Sequence, residues 1–422
     1  MKWDSEHWKK KVDALQRFIE PLVSQLGRSE RREGAALYIQ GLLLPGQRKS
    51  IEPMAQRLQV DSQKLQQFIA DSPWDEQRVW QAIRREVVPV VEPLLAWVVD
   101  ETGWLKQGTD SVGVSHQYCG AVGKQAQCQV AVELVVSNGE VVAPVAARLY
   151  LPEKWAKDAP RREAAGVPKQ IEFQTKPAIA GDLIAQALAD GVTRAPVLGD
   201  AVYGNASELR QRLRTLGMEY FFHGENHWLA YRQRPELVKG PKHWSVQRSA
   251  PKALTLLQLA EAAKDWVGAG WTAADGEKRA TRLAWHPIYL HSDLDEQSGE
   301  WPECWLVIDW PDGLKEPYHV YIAHLHQAPT KGRSLRLSRG RWPIEQYFQR
   351  GKDDLGLDHY EGRSWQGLHH HLALSAVAYL FVVVEYIQAK KNFRPHVGTG
   401  LAGDAAIAGA FARLVSLLPD RI

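Results

Sequence analysis

Two short apolar segments of this chain each run directly into an aspartate, and this pattern limits the fold more than any other feature. Residues 94–99 precede Asp100, and residues 196–199 precede Asp200. Continuous apolar runs of this length are typical of strands that are buried on both faces. Open sheets of such strands place their functional sites at the carboxyl ends. The pattern therefore predicts a buried sheet with Asp100 and Asp200 at the ends of two strands.

The segments around these two strands alternate between strand and helix patterning. In chain order they lie at residues 112–120, 127–136, 141–151, 177–189, 207–216 and 218–223. Asn138-Gly139 is a hairpin signal, and the Pro-rich, charged residues 152–172 predict a loop. The order of three or four antiparallel strands followed by helix, strand, helix and strand matches an RNase H-like core. The predicted fold class is therefore α/β, with an RNase H-like mixed sheet flanked by helices.

The rest of the chain divides into predicted domains by texture. Residues 224–335 contain eight of the chain's 17 tryptophans and several strand patterns, so they predict a β-rich insertion that interrupts the core. The predicted organisation is an N-terminal helical DNA-binding domain at 1–90, core parts at 91–223 and 336–390, this insertion, and a C-terminal tail helix at 391–422.

Residues 51–72 inside the N-terminal region have the layout of a helix-turn-helix, with Asp61 or Ser62 as the N-cap of the second helix. Arg48 and Lys49 stand beside this segment and are candidates for binding DNA. The alternative, which the sequence leaves open, is a plain helical bundle with solvated charges.

A helix near residue 345 supplies a third acidic candidate. Pro343 suits the first turn of a helix, and Arg341, Glu345 and Lys352 follow at spacings of four and seven residues. A salt-bridged surface helix is the alternative on spacing alone. Together with two strand-end aspartates, however, Glu345 completes a set of carboxylates of the kind that holds two Mg²⁺ or Mn²⁺ ions for phosphoryl transfer.

Basic residues surround that third acid. Between residues 331 and 352 there are seven basic side chains and one acid, Glu345. This excess predicts a track for a DNA backbone, with binding that weakens as salt rises. The predicted DNA-binding residues are Arg341, Lys352, Arg336, Arg339, Arg350, Arg48 and Lys49. A second basic patch at 232–252 is interleaved with aromatic residues and suits unpaired DNA, with a hydrated loop as the alternative.

Composition excludes several other classes. The net charge of +3 does not itself indicate a nucleic-acid partner, and the three cysteines lack metal-ligand spacing and fit a reduced cytosolic compartment. The longest apolar run, residues 372–384, is too short to span a bilayer and predicts a buried helix. His369, His370 and His371 point in different directions on a helix, so we interpret them as its polar start, near DNA, rather than as metal ligands.

Three motifs make the chain resemble a known family. Residues 97–103 (WVVDETG), 197–204 (VLGDAVYG) and 341–345 (RWPIE) are similar to the three motifs of DDE transposases from bacterial insertion sequences. The closer likeness is to the branch with a β-rich insertion between the second Asp and the Glu. Arg341, Glu345 and Lys352 match that branch's signature, whereas Ser338 stands where the signature has Tyr. The hairpin route of excision is therefore left open.

The resemblance implies an activity and its partners. Such an enzyme binds terminal inverted repeats, nicks DNA with metal-activated water and attacks target DNA with the freed 3′-OH. It implies Asp100, Asp200 and Glu345 as catalytic metal ligands, two Mg²⁺ (or Mn²⁺) ions per site, double-stranded DNA as partner and a homodimer on paired ends. It also implies a bacterial, cytoplasmic, nucleoid-associated protein with no membrane partner. The alternatives are an RNase H-like structure-specific nuclease and a non-catalytic DNA-binding protein derived from a transposase.

Overall fold

The computed structural model describes residues 5–272, 277–317 and 319–392, with the backbone only for residues 5–10 and Asn392. The predicted tail helix at 391–422 falls almost wholly outside the described residues. The chain divides into two compact units. Unit 1 comprises Met1–Leu94, Asp100–Thr193 and Pro343–Ile422, and unit 2 comprises Leu95–Val99 and Arg194–Trp342.

The first part of unit 1 consists of helices. They are α1 (Ser5–Val23), α2 (Ser29–Leu43), α3 (Ile51–Leu58), α4 (Ser62–Ala70), α5 (Glu76–Glu86) and α6 (Val88–Val91). Asp61 caps α4 by accepting a hydrogen bond from the Gln63 amide at 2.9 Å, and Asp75 caps α5 in the same way through Gln77. These side chains satisfy amides that a helix start leaves unpaired. The helix pair α3–α4 thus lies where the helix-turn-helix pattern predicts two helices.

Antiparallel strands follow the helices in unit 1. The elements are β1 (Ala96–Leu105), whose residues up to Val99 are counted in unit 2, and then β2 (Ser115–Cys119), β3 (Lys124–Ser137), β4 (Val142–Leu149), α7 (Glu153–Ala156), α8 (Ala159–Ala164) and α9 (Lys176–Ala189). β3 pairs with both β2 and β4, and it also neighbours β1. The predicted loop at 152–172 is wrong in part, because Asp158 caps the short helix α8 through the Arg161 amide.

Unit 2 contains a large mixed sheet. Its elements are β5 (Val197–Gly199), α10 (Ala201–Gly204), α11 (Ser207–Thr215), β6 (Tyr220–Gly224), β7 (Leu229–Tyr231), β8 (Leu237–Lys239), β9 (Trp244–Val246), β10 (Leu254–Thr255), α12 (Leu256–Glu261), β11 (Val267–Thr272), β12 (Lys278–Leu290), β13 (Cys304–Trp310), β14 (His319–His324) and α13 (Lys331–Arg339). The strand order is β10-β7-β12-β13-β14-β6-β5-β1, with β11 beside β12 and β8–β9 as a separate pair. β1, β5 and β6 are parallel, and the pairs from β6 onward are antiparallel. The predicted mixed α/β class is therefore confirmed.

Two helices, α14 (Trp342–Asp353) and α15 (Trp365–Asn392), complete the described chain. α15 packs in unit 1 against α1, α2, α4, α5 and β4. By length and composition it could cross a bilayer, yet 78% of its most apolar window is buried inside the protein. The prediction of a buried helix is confirmed, and this helix extends beyond the apolar run 372–384 at both ends.

The three consecutive histidines of α15 lie in the core of unit 1, so the interpretation of a polar helix start near DNA is wrong. Their exposed fractions are 2%, 0% and 0%. His371 contacts the Tyr38 hydroxyl through Nδ1 at 2.9 Å and the carbonyl oxygens of Gly356 and Leu357 through Nε2 at 3.1 Å. A carbonyl only accepts, so His371 carries its hydrogen on Nε2 and accepts the Tyr38 hydroxyl on Nδ1.

This buried histidine predicts acid-sensitive folding. Burial lowers the pKa of His371 to about 4, whereas an unfolded histidine titrates near 6.5. The unfolded chain therefore binds an extra proton below pH 6.5. Stability that is fully present above about pH 7 falls by about 3 kcal/mol as the pH drops to 4. Urea unfolding at pH 7.5 and pH 5 measures this loss. His371→Gln should weaken the pH dependence, whereas the same change at the exposed His227 should leave it unaltered.

Candidate active site

Asp200 lies where the sequence places it, immediately after β5. Its Oδ1 accepts hydrogen bonds from the amides of Val202 at 2.9 Å and Tyr203 at 3.4 Å, so it caps α10. The prediction that Asp200 ends a strand is confirmed. The turn after it is tight, because a Cβ added to Gly204 would lie 2.3 Å from the His223 carbonyl oxygen. Glycine lets the two main chains approach this closely, and this approach fixes the direction in which the chain leaves Asp200.

Asp100 does not end its strand, so that part of the prediction is wrong. β1 continues to Leu105, because its second half pairs with β3. Asp100 is 9% exposed, and its Oδ1 accepts the Glu101 amide at 2.9 Å. β1 and β5 run parallel with Val98 opposite Leu198.

Glu345 lies in the first turn of α14 and is partly exposed. The helix buries Ile344 and Tyr347, which give it an apolar inner face. The Tyr347 hydroxyl donates to Glu133 Oε2 at 2.8 Å, and the Lys352 ammonium donates to the Gly103 carbonyl at 2.9 Å. These contacts fix the helix that carries Glu345 to two strands of unit 1.

The donor chemistry of the three predicted ligands suits a hard divalent cation, because Mg²⁺ and Mn²⁺ prefer carboxylate oxygens. Within the described ranges, no three His, Cys, Asp or Glu side chains are gathered into a group that could hold a metal. The metal-binding role of Asp100, Asp200 and Glu345 therefore stays a prediction that rests on their chemistry and their positions in the chain.

Two of the basic residues predicted to bind DNA are engaged inside the protein. Lys49 is 2% exposed and donates to the Leu44 carbonyl, and burial lowers its pKa to about 8. An ammonium held in this way is not part of the protein surface. Arg339 donates to the buried Asp309 and lies 4.1 Å over the ring of Trp271. It thereby joins α13 to the sheet of unit 2.

The other predicted DNA-binding residues are more accessible. Arg336 is exposed, Arg341 and Arg350 are partly exposed, and Arg48 forms an exposed ion pair with Glu361. Lys352 is partly buried, which lowers the pKa of its ammonium. Exposed ion pairs are weak and are exchanged readily for contacts with phosphate. Ser338, at the position of the signature tyrosine, is 8% exposed and donates to the Leu335 carbonyl at 3.0 Å.

Sequence reasoning missed two features near these residues. Glu133 is fully buried in β3, and burial raises its pKa to about 7. Its signal is an acid inside the otherwise apolar run 130–136. In unit 2, the rings of His223 and His319 lie 4.4 Å apart, and burial, together with neighbouring arginines, lowers the pKa of His223 to about 3. The second feature has no local sequence signal, because the two histidines are far apart in the chain.

Comparison with known proteins shows which family this chain belongs to. Residues 21–289 match the model of the DDE superfamily endonucleases. The chain belongs to this family. The matched range includes Asp100 and Asp200 and ends before Glu345. This membership confirms the resemblance drawn from the three motifs.

Two individual proteins are similar to this DDE superfamily member. A "probable transposase for insertion sequence element IS701" from Microchaete diplosiphon is 30% identical over 165 residues. That match spans 38% of this chain and 40% of the relative's length. The second is a piggyBac transposase, solved in a synaptic complex with hairpin DNA. The structural match covers 97% of this chain and 78% of the piggyBac chain, with 9% sequence identity and a TM-score of 0.42. A similarity at that TM-score carries no argument about shared detail.

Proposed function

We propose that this chain is the transposase of a bacterial insertion sequence, which cleaves DNA and transfers strands at terminal inverted repeats. The observation that carries the proposal is the family match over the region that contains Asp100 on β1 and Asp200 directly after β5. The relative described as a probable insertion-sequence transposase supports transposition rather than another use of the same fold.

The finer architecture belongs to the same proposal. We assign an RNase H-like core to residues 91–223 and 336–390, a β-rich insertion to 224–335 and a DNA-binding domain to 1–90. The parallel strands β1, β5 and β6 support the core assignment, because such cores combine parallel and antiparallel pairs. The helix pair α3–α4 supports the DNA-binding role.

Asp100, Asp200 and Glu345 would hold two Mg²⁺ or Mn²⁺ ions. Ions bound there would lower the pKa of a water molecule and stabilise negative charge on the leaving oxygen. The chain's own contribution is positional. Asp200 is fixed by its cap on α10, and Glu345 is fixed through α14. Rigid placement of this kind lowers the cost of bringing the reacting groups together.

The exposed and partly exposed arginines would supply the contact with DNA. Arg336, Arg341, Arg350 and Arg48 would neutralise phosphates, so binding should weaken steeply with salt. The acting form would be a homodimer on paired ends, and the location would be the bacterial cytoplasm at the nucleoid. These assignments rest on the family and on the exposure of the arginines.

A reaction with the element's own ends tests this function. The purified chain is mixed with labelled DNA that carries the inverted repeats flanking its gene, an unlabelled target plasmid and Mg²⁺, and the products are sized on denaturing gels. We expect nicks at the repeat ends and joined products in the target, both abolished by EDTA. Scrambled repeat ends are the matched control substrate.

Each alternative function gives a different product pattern. Cut ends without joining would indicate a structure-specific nuclease. Binding of the repeats without metal-dependent cleavage would indicate a non-catalytic DNA-binding protein. Equal cleavage of true and scrambled ends would contradict recognition of the inverted repeats.

A further inference from the structure

The helix that carries Glu345 is fixed to the sheet of unit 1 by a buried acid. Tyr347 follows Glu345 by two residues on α14, and its hydroxyl donates to Glu133 Oε2 at 2.8 Å. Both side chains are buried, with exposed fractions of 1% for Tyr347 and 0% for Glu133. Because the bond is shielded from water, its loss would leave an unpaired carboxylate in the core. The contact is therefore a strong constraint on where α14 lies.

The same acid lies across from the first catalytic candidate. The Lys106 amide donates to the Gln127 carbonyl at 3.0 Å, and the indole of Trp104 donates to the Gln129 side chain at 3.0 Å. Residue numbers therefore fall along β1 as they rise along β3, which means that the two strands are antiparallel. Continuing this register by four residues from Trp104 and Gln129 sets Glu133 opposite Asp100. Side chains of directly opposed residues share one face of a sheet.

Burying Glu133 at this position is unfavourable for the free energy of folding. Its second oxygen, Oε1, has no hydrogen-bond partner within the described part of the chain. The surrounding strand is apolar, and an aliphatic side chain would avoid the cost of burying a carboxyl group. Lys352, which belongs to the same helix as Tyr347, contributes a favourable charge near Glu133 and donates to Gly103 on β1. Two polar contacts thus hold α14 to β3 and to β1.

We infer that Glu133 is a positioning residue of the cleavage reaction, which sets Glu345 relative to Asp100 by holding Tyr347. This inference rests on the proposed function, because it assumes that Asp100 and Glu345 bind metal. Some carboxylates and hydroxyls orient metal ligands without binding the metal themselves. Removing such a group commonly lowers metal affinity or activity by about 10- to 100-fold. Glu133 acts here through α14 and touches no reacting atom.

Three variants separate positioning from stability. Tyr347→Phe removes the hydroxyl, and Glu133→Gln keeps a carbonyl oxygen that can accept it. Tyr386→Phe is the matched control, because its hydroxyl donates to Glu140 at 2.7 Å elsewhere in unit 1. Mn²⁺ binding to the DNA-free protein is measured by calorimetry, and amide hydrogen exchange is measured across α14. Wild type and Glu345→Ala serve as references.

We expect Tyr347→Phe to weaken Mn²⁺ binding about tenfold or more and to speed exchange in α14. Glu133→Gln should stay within about threefold of wild type, and Tyr386→Phe should match it. Unchanged Mn²⁺ affinity and α14 exchange in Tyr347→Phe would overturn the inference, as would a Glu133→Gln variant as damaged as Tyr347→Phe. If wild type and Glu345→Ala bind Mn²⁺ equally, the metal site of the proposed function fails. Unchanged α14 exchange in Tyr347→Phe would then separately overturn the anchoring itself.

Discussion

Asp200→Asn should abolish DNA cleavage while leaving the fold intact. The asparagine oxygen can still accept the amides of Val202 and Tyr203 that Asp200 caps, and asparagine is as good an N-cap as aspartate. The substitution removes the negative charge that a divalent cation needs. We expect cleavage to fall by at least about 10³-fold, which corresponds to about 4 kcal/mol of transition-state stabilisation. Initial rates of nicking at saturating Mg²⁺ measure the loss.

The chain supplies a matched control for that substitution. Asp75 caps α5 by accepting the Gln77 amide at 2.9 Å, the same structural role without the proposed chemistry. Asp75→Asn should cleave at the wild-type rate and unfold at the wild-type temperature. An Asp200→Asn variant that nicks within tenfold of wild type would remove Asp200 from the catalytic set. Loss of activity together with a lowered unfolding temperature would instead trace the loss to a destabilised fold rather than to a missing metal ligand.

The sequence predicted those structural features whose physical cause lies within a few neighbouring residues. The run before Asp200 is short and apolar and is followed by helix-compatible residues, so both β5 and the position of Asp200 could be derived from the sequence. Asp61 and Asp75 satisfy amides only two residues away, and such caps can be found by scanning a few positions. In each case the physical cause and the sequence signal lie in the same short stretch.

The features that could not be predicted from the sequence depend on contacts between residues that are far apart in the chain. β1 continues past Asp100 because β3 supplies partners for it, and no apolar run marks residues 101–105 as strand. His370 is buried between the carbonyls of Ile69 and Trp74, some 300 positions earlier in the chain, and a neutral imidazole donates its one N–H to one of them. A polar residue type therefore says little about exposure when the partner that satisfies it comes from another element.

The contrast extends to the candidate site. Asp100, Asp200 and Glu345 could be proposed from motifs, because their types and neighbours are distinctive. Glu133 and Tyr347 could not be paired in advance, since only the packing of α14 against β3 brings them within 2.8 Å. For Lys49 the prediction from sequence was wrong. It was expected to bind DNA because it is basic and lies beside a helix pair, but it is buried and donates to the Leu44 carbonyl. Motifs thus located the proposed chemistry, while its supporting contacts required the fold.

A buried ion pair in unit 2 gives the second large prediction. Asp293 accepts the Arg210 guanidinium through Nε at 3.0 Å and also accepts Arg214 at 3.1 Å. The side chains of Arg210 and Asp293 are both 0% exposed. Arg210 also donates to the carbonyl of Gly204, the residue that ends the turn after Asp200. Asp293 therefore supports the segment that sets the direction of the chain beyond Asp200.

Asp293→Ala should lower the free energy of unfolding by about 3–5 kcal/mol, because it leaves the Arg210 guanidinium buried without a counter-charge. Urea unfolding monitored by tryptophan fluorescence measures the change. Asp312→Ala is the control, since Asp312 pairs with Arg282 at an exposed position and should cost no more than about 1 kcal/mol. The double variant Arg210→Met with Asp293→Leu should recover much of the lost stability, because it removes both charges together. Equal destabilisation by Asp293→Ala and Asp312→Ala would contradict the prediction, because the buried pair would then contribute no more to stability than an exposed one.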